Sequence, residues 1–151
     1  MGKLELKKQE YSRLRKRGAG KQGRLPFCTD QGLLPVAERL AELGYPVVTA
    51  EDASVNTSDD LAFLAWIREM GLVFVTRDWR RARRVWKDGL LHDRPGIVVI
   101  HSPKGDRNDL LEGIDAFLSM RLSYRLMWEV IIYLSHGQRK ALFADGSEMN
   151  L

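Results

Sequence analysis

The feature that most constrains this chain is a regular alternation of short β-branched apolar runs with segments of helical spacing. Runs at 25–29, 46–50, 72–76 and 97–101 are short and mainly apolar and, in the last three, dense in β-branched residues, which predicts buried strands. Between the first two, Leu33, Val36, Ala37, Leu40 and Leu43 recur at helical spacing and stop at Gly44, a good C-cap residue. Ser58 is a natural N-cap, Asp59 and Asp60 fall in the first turn, and Leu61, Leu64, Ala65 and Ile67 continue a helix over 59–70 to Gly71. Segments 79–87 and 108–122 are further helix candidates. Strand–helix alternation of this kind predicts the α/β class with a mainly parallel sheet. Beyond residue 123 two patterns overlap. Leu126, Val130, Ile131 and Leu134 suit a helix, the reading favoured here, whereas 129–134 is β-rich and His136-Gly137 suits a hairpin turn. Residues 144–151 have loop composition.

Composition narrows the class further. A chain of 151 residues, 44% apolar, is expected to form one compact domain, and nothing in it approaches the roughly 18 consecutive apolar residues of a membrane span. A single cysteine, Cys28, and three scattered histidines exclude a disulfide scaffold and a zinc finger. The first residues lack the apolar stretch of a signal peptide, so a cytoplasmic location is expected. The net charge of +4 is uneven: residues 1–24 carry nine Lys or Arg against Glu5 and Glu10, leaving fifteen cations against eighteen acids in the rest. The basic segment reads either as an electrostatic arm for phosphates or as a partly helical extension seated through Leu4, Tyr11 and Leu14. The expected organisation is a basic extension at 1–24, the main domain at 25–122, and an apolar segment with a tail at 123–151 packing on that domain. The 126–134 stretch could pack there or form the face of a homodimer.

Chemistry enters with the acids. Asp30 follows the first strand and Asp78 the third, so a parallel sheet with right-handed crossovers carries both to its carboxyl edge, where open α/β sheets bind ligands. The helix over 59–70 runs back against its strands, which returns Asp59 to the same edge. Three carboxylates brought together repel one another, and a divalent cation such as Mg²⁺ or Mn²⁺ is the simplest compensation. Each acid also has an ordinary role: Asp30 and Asp78 as turn residues, Asp59 as a helix-start acid. Spacing alone leaves both readings open. Next to Asp78, the residues Arg77, Arg80, Arg81, Arg83, Arg84 and Lys87 crowd one segment with Trp79 and Trp86 interleaved. Arginine forks match phosphates and indoles stack on bases; the alternative is inward-packed rings under solvated arginines. His101 and Ser102 follow the fourth run toward the same edge, more in keeping with structural roles, and Cys28 reads as a small buried hydrophobe.

The segments Phe27-Cys28-Thr29-Asp30, Ser58-Asp59-Asp60 and Val75-Thr76-Arg77-Asp78, in this order and spacing, resemble the PIN-like nucleases over residues 25–120. The likeness is greatest to the compact group counted among toxin components of toxin–antitoxin pairs. The resemblance implies a three-layer PIN-like fold in which Asp30, Asp59 and Asp78 are the catalytic residues, bind Mg²⁺ or Mn²⁺ and activate water to hydrolyse RNA. It makes Asp60 and Gln31 helpers, and it implies an antitoxin protein as partner. Arg77, Arg80, Arg81 and Arg84 are the expected RNA contacts. Two positions depart from the group: Gln31 stands where it usually has Glu, and Arg81 where an acid often follows. The expectation is therefore a metal-dependent endoribonuclease of toxin or RNA-processing type; the alternative is a catalytically inactive PIN-like module that binds RNA or a protein. A phosphoacceptor receiver domain is a third reading, opposed by Asp30-Gln31 in place of an acidic pair and by the lack of an expected fifth strand ending in lysine.

Overall fold

The computed structural model describes residues 5–9, 11, 24–53, 55, 56 and 59–151. Strands β1 (Phe27–Thr29), β2 (Val47–Thr49), β3 (Val73–Thr76), β4 (Ile97–Ile100) and β5 (Val130–Ser135) are parallel; β6 (Gln138–Phe143) and β7 (Glu148–Asn150) add two antiparallel ones. All seven form one sheet in the order β2-β1-β3-β4-β5-β6-β7. Every residue of β1, β3 and β4 is buried, because helices cover both faces of the sheet centre and leave no side for water. The chain is thus α/β with a mainly parallel central sheet between helical layers. Among the described residues no helix is long and apolar enough to cross a membrane.

Side-chain alternation along the strands divides the interior into two cores. Phe27, Val73, Val75, Val98 and Ile100 meet helices α1 (Leu34–Glu42) and α4 (Arg107–Ser119) through Val36, Leu40, Leu110, Ile114 and Phe117. Cys28, Phe74, Ile97 and Val99 meet α2 (Asp60–Met70) and α3 (Trp79–Lys87) through Phe63, Leu64, Ile67, Ala82 and Val85. Helices α1 and α2 end at Gly44 (φ 86°) and Gly71 (φ 69°), where the left-handed backbone favours glycine. Ser58 lies outside the described residues. The N-cap of α2 is Asp59, whose carboxylate accepts the Ala62 N–H at 3.1 Å.

These placements fix the crossovers. From β1 to β2 the chain steps one way across the sheet by α1 on the first face; from β2 to β3 and from β3 to β4 it steps the other way by α2 and α3 on the second face. Reversing both direction and face keeps the hand. The step from β4 to β5 continues in the second direction but uses α4, on the α1 face, so this crossover has the hand opposite to the other three. A uniform right-handed sheet, the usual rule, therefore fails here. The second face is already covered over β5 and β6 by α3: Trp79 packs edge-on against Tyr133 at 5.1 Å, and Trp86 Nε1 donates to the Phe143 carbonyl at 2.7 Å. On the first face α4 is held to α1 by a two-pronged Arg39–Asp115 contact, 3.1 Å on each prong.

Two expectations about the C-terminal third are corrected. The segment 123–136, read as leaning to a helix, supplies β5, because Val130, Ile131 and Ile132 are buried on alternating faces and β-branching favours the pleat. His136-Gly137 is the two-residue hairpin turn, with Ser135 opposite Gln138. Residues 144–151, read as a loop, contain a turn and then β7, paired to β6. The basic extension is partly integral to the domain: residues 5–9 and 11 are helical, and Tyr11, 1% exposed, enters the first core with its hydroxyl donating to the Leu126 carbonyl at 2.6 Å.

Candidate functional site

Asp30 and Asp78 do emerge at the carboxyl ends of β1 and β3, the point where successive connections diverge to opposite faces and where open α/β sheets form their crevice. Thr76 joins them. Its hydroxyl donates to Asp30 Oδ2 at 2.6 Å and accepts the Asp78 N–H at 3.0 Å. The other Asp30 oxygen accepts the Gln31 N–H at 2.8 Å, so Gln31 meets Asp30 through its backbone. Asp78 is the N-cap of α3, its Oδ1 accepting the Arg81 N–H at 3.1 Å. Asp59 caps α2 in the same manner. Both exposed capping acids thus have the ordinary helix-start role as well as a place at the edge.

The side chain that meets the acids is Arg81. Only 11% exposed, its guanidinium lies 2.9 Å from Asp60 Oδ1 through Nε and 3.9 Å from Asp30 Oδ1 through a terminal nitrogen. It also sits over the rings of Phe63 and Phe74, 4.8 and 5.4 Å from their centroids. Asp60, which follows the capping Asp59, therefore shares a partner with Asp30, and it takes a second, more exposed ion pair from Arg84 at 3.3 Å. Among the described residues, no group of three His, Cys, Asp or Glu side chains is placed to hold a metal ion. The residues present do not fit a divalent cation as they stand, because Asp30 already faces a guanidinium locked by a second carboxylate and two aromatic rings. Gln31 adds no charge to draw a metal in.

The arginine-rich helix sorts its cations sharply. At about 100° per residue, Trp79, Ala82, Val85 and Trp86 fall on the inward side with Arg81 at its margin, whereas Arg80, Arg83, Arg84 and Lys87 share the exposed side. The tryptophans thus follow the inward-packed reading. Of the four expected RNA contacts, Arg80 and Arg84 face solvent. Arg81 is turned inward, and Arg77 donates to the Pro103 carbonyl at 2.8 Å. Arg83 and Lys87, which the sequence reading placed only in the general cluster, complete the exposed stripe.

A cavity of about 730 Å³ opens two strands away, at the carboxyl ends of β4 and β5, lined among others by His101, Asp109, Glu112, His136 and Arg139. It does not include the acids. His101 packs against the Tyr133 ring, and Ser102 is buried. The fifth strand that the receiver reading lacked is present, but it ends in Ser135-His136 without the required lysine. Sequence reasoning missed the linking hydroxyl of Thr76 and the inward turn of Arg81. No signal in the sequence singles out Arg81 from the other cations of this segment.

No protein-family model, curated protein or solved structure matches this chain.

Proposed function

We propose that this chain is a PIN-like module that binds RNA through its phosphates and does not cut it by a metal-dependent route. The observation that carries the reading is the division of labour on α3: Arg80, Arg83, Arg84 and Lys87 face solvent from one short helix, while Arg81 neutralises the acids beside it. Four cations exposed on one side of a short helix form a local positive patch for phosphates, and arginine adds forked hydrogen bonds. Base stacking has no part in it, since Trp79 and Trp86 pack inward. The metal-dependent nuclease reading draws support from the three acids Asp30, Asp59 and Asp78 at one edge and is the competitor.

One experiment separates the two. Single-stranded RNA is incubated with the protein with and without Mn²⁺, and both binding and strand scission are followed. Binding without scission, weakened when Arg80 and Arg83 are both changed to Ala, is the expected result. Mn²⁺-dependent scission that Asp78→Asn abolishes would overturn the proposal in favour of the nuclease; absence of RNA binding would overturn both.

A further inference from the structure

We infer that Arg81 is a built-in cation: its guanidinium occupies the seat between Asp30 and Asp60 and masks a divalent-metal site that a single substitution would open. Three observations meet at this residue. Its side chain is nearly nine-tenths buried although it carries a permanent charge, and such burial is tolerated only where counter-charges neutralise it. It touches carboxylates from two different elements, the end of β1 and the first turn of α2, while its own backbone N–H holds the Asp78 carboxylate. The rings of Phe63 and Phe74 form the floor beneath it, a surface suited to a flat, weakly hydrated cation and poorly suited to a hydrated metal ion.

The consequence is a competition of cations. With Arg81 in place, a metal ion approaching Asp30 meets a fixed positive charge within one side-chain length and must displace it from Asp60 and both rings. With a neutral side chain at 81, Asp30 loses the nearby guanidinium and keeps the Thr76 hydroxyl and the Gln31 N–H, while Asp60 keeps the exposed ion pair with Arg84. Carboxylate oxygens are the kind of ligand that Mn²⁺ or Mg²⁺ takes once a guanidinium no longer competes for them.

Mn²⁺ alone is the probe, titrated by calorimetry and by its effect on Tm in the wild type, Arg81→Gln, and the double variant Arg81→Gln with Asp30→Asn. The expected result is that Arg81→Gln binds Mn²⁺ at least about tenfold more tightly than the wild type, as removal of one adjacent charge predicts, and that its Tm rises with Mn²⁺. The double variant should lose this gain. Equal affinity of wild type and Arg81→Gln would overturn the inference, as would a gain that survives Asp30→Asn. If Arg81→Gln does not fold in metal-free buffer, folding on addition of Mn²⁺ supports the inference, and failure to fold in Mn²⁺ while the double variant folds refutes it. RNA is absent from this measurement, so its outcome is independent of the RNA-binding proposal.

Discussion

Residue by residue, the edge of the sheet is tied together by polar groups that satisfy one another. Thr76 is the clearest case, because one buried hydroxyl links the carboxylate of Asp30 to the backbone of Asp78. Thr76→Val keeps the shape and removes both hydrogen bonds, so a loss of about 1–3 kcal/mol is expected in urea unfolding; an unchanged midpoint would show that the link carries no stability. Cys28 points to the second core, and burial, reinforced by the nearby carboxylates of Asp30 and Glu51, pushes its thiol up to about 12. Native protein should therefore resist a thiol reagent at neutral pH and react only at the rate of opening, with reactivity rising through the unfolding transition. Fast labelling of folded protein would contradict the buried placement.

Among the elements, the N-terminal helical residues seat on the domain through Tyr11, in line with the partly helical reading of the basic segment. Lys8 pairs with Asp145 at 2.8 Å, across from the turn between β6 and β7, and stands 5.4 Å from the centre of the Phe143 ring. Hydrogen bonds from Lys8 and then Ser147 pull the Asp145 carboxyl down from its ordinary 3.8 to about 2. A carboxyl lowered on folding contributes stability above its unfolded value and loses it as the pH falls through the folded one. The contribution of this pair should accordingly be complete above about pH 4 and fade between about pH 4 and pH 2. Asp145→Asn should flatten the pH dependence of the urea midpoint in that window alone; the same dependence in wild type and variant would place the acid sensitivity elsewhere. Asp145 is open to solvent, so screening keeps the expected effect modest.

For the molecule as a whole, charge is divided between the basic extension, whose Tyr11 enters the core, and a basic stripe on α3. Deleting residues 1–24 would remove Tyr11 from the core together with the charge, so the extension cannot be tested cleanly by truncation. Substitution on the stripe avoids the difficulty. If Arg80, Arg83, Arg84 and Lys87 all meet phosphates, log affinity for single-stranded RNA should fall against log salt with a slope of about −3 from these four alone. Changing Arg80, Arg83 and Lys87 together to Ala should reduce that contribution to about −1. A slope indifferent to the three substitutions would assign RNA attachment to another surface.

What the sequence determined by itself was local and periodic. The β-branched runs, the spacing of Leu33 to Leu43, and the glycines at 44 and 71 specify strands, helices and their ends, because these depend on backbone preference and on which side of an element is apolar. Their alternation also placed Asp30 and Asp78 at one edge. Where every position of a segment was apolar, as in 130–134, either period fitted, and only pairing with β4 and β6 selected a strand. The reversed hand of the α4 crossover was equally invisible, since it depends on Trp79 and Trp86 having already covered the other face. So was the inward turn of Arg81: six cations in one segment look alike in sequence, and burial against Asp30, Asp60, Phe63 and Phe74, contributed by three separate elements, singles out one of them only when those elements are brought together.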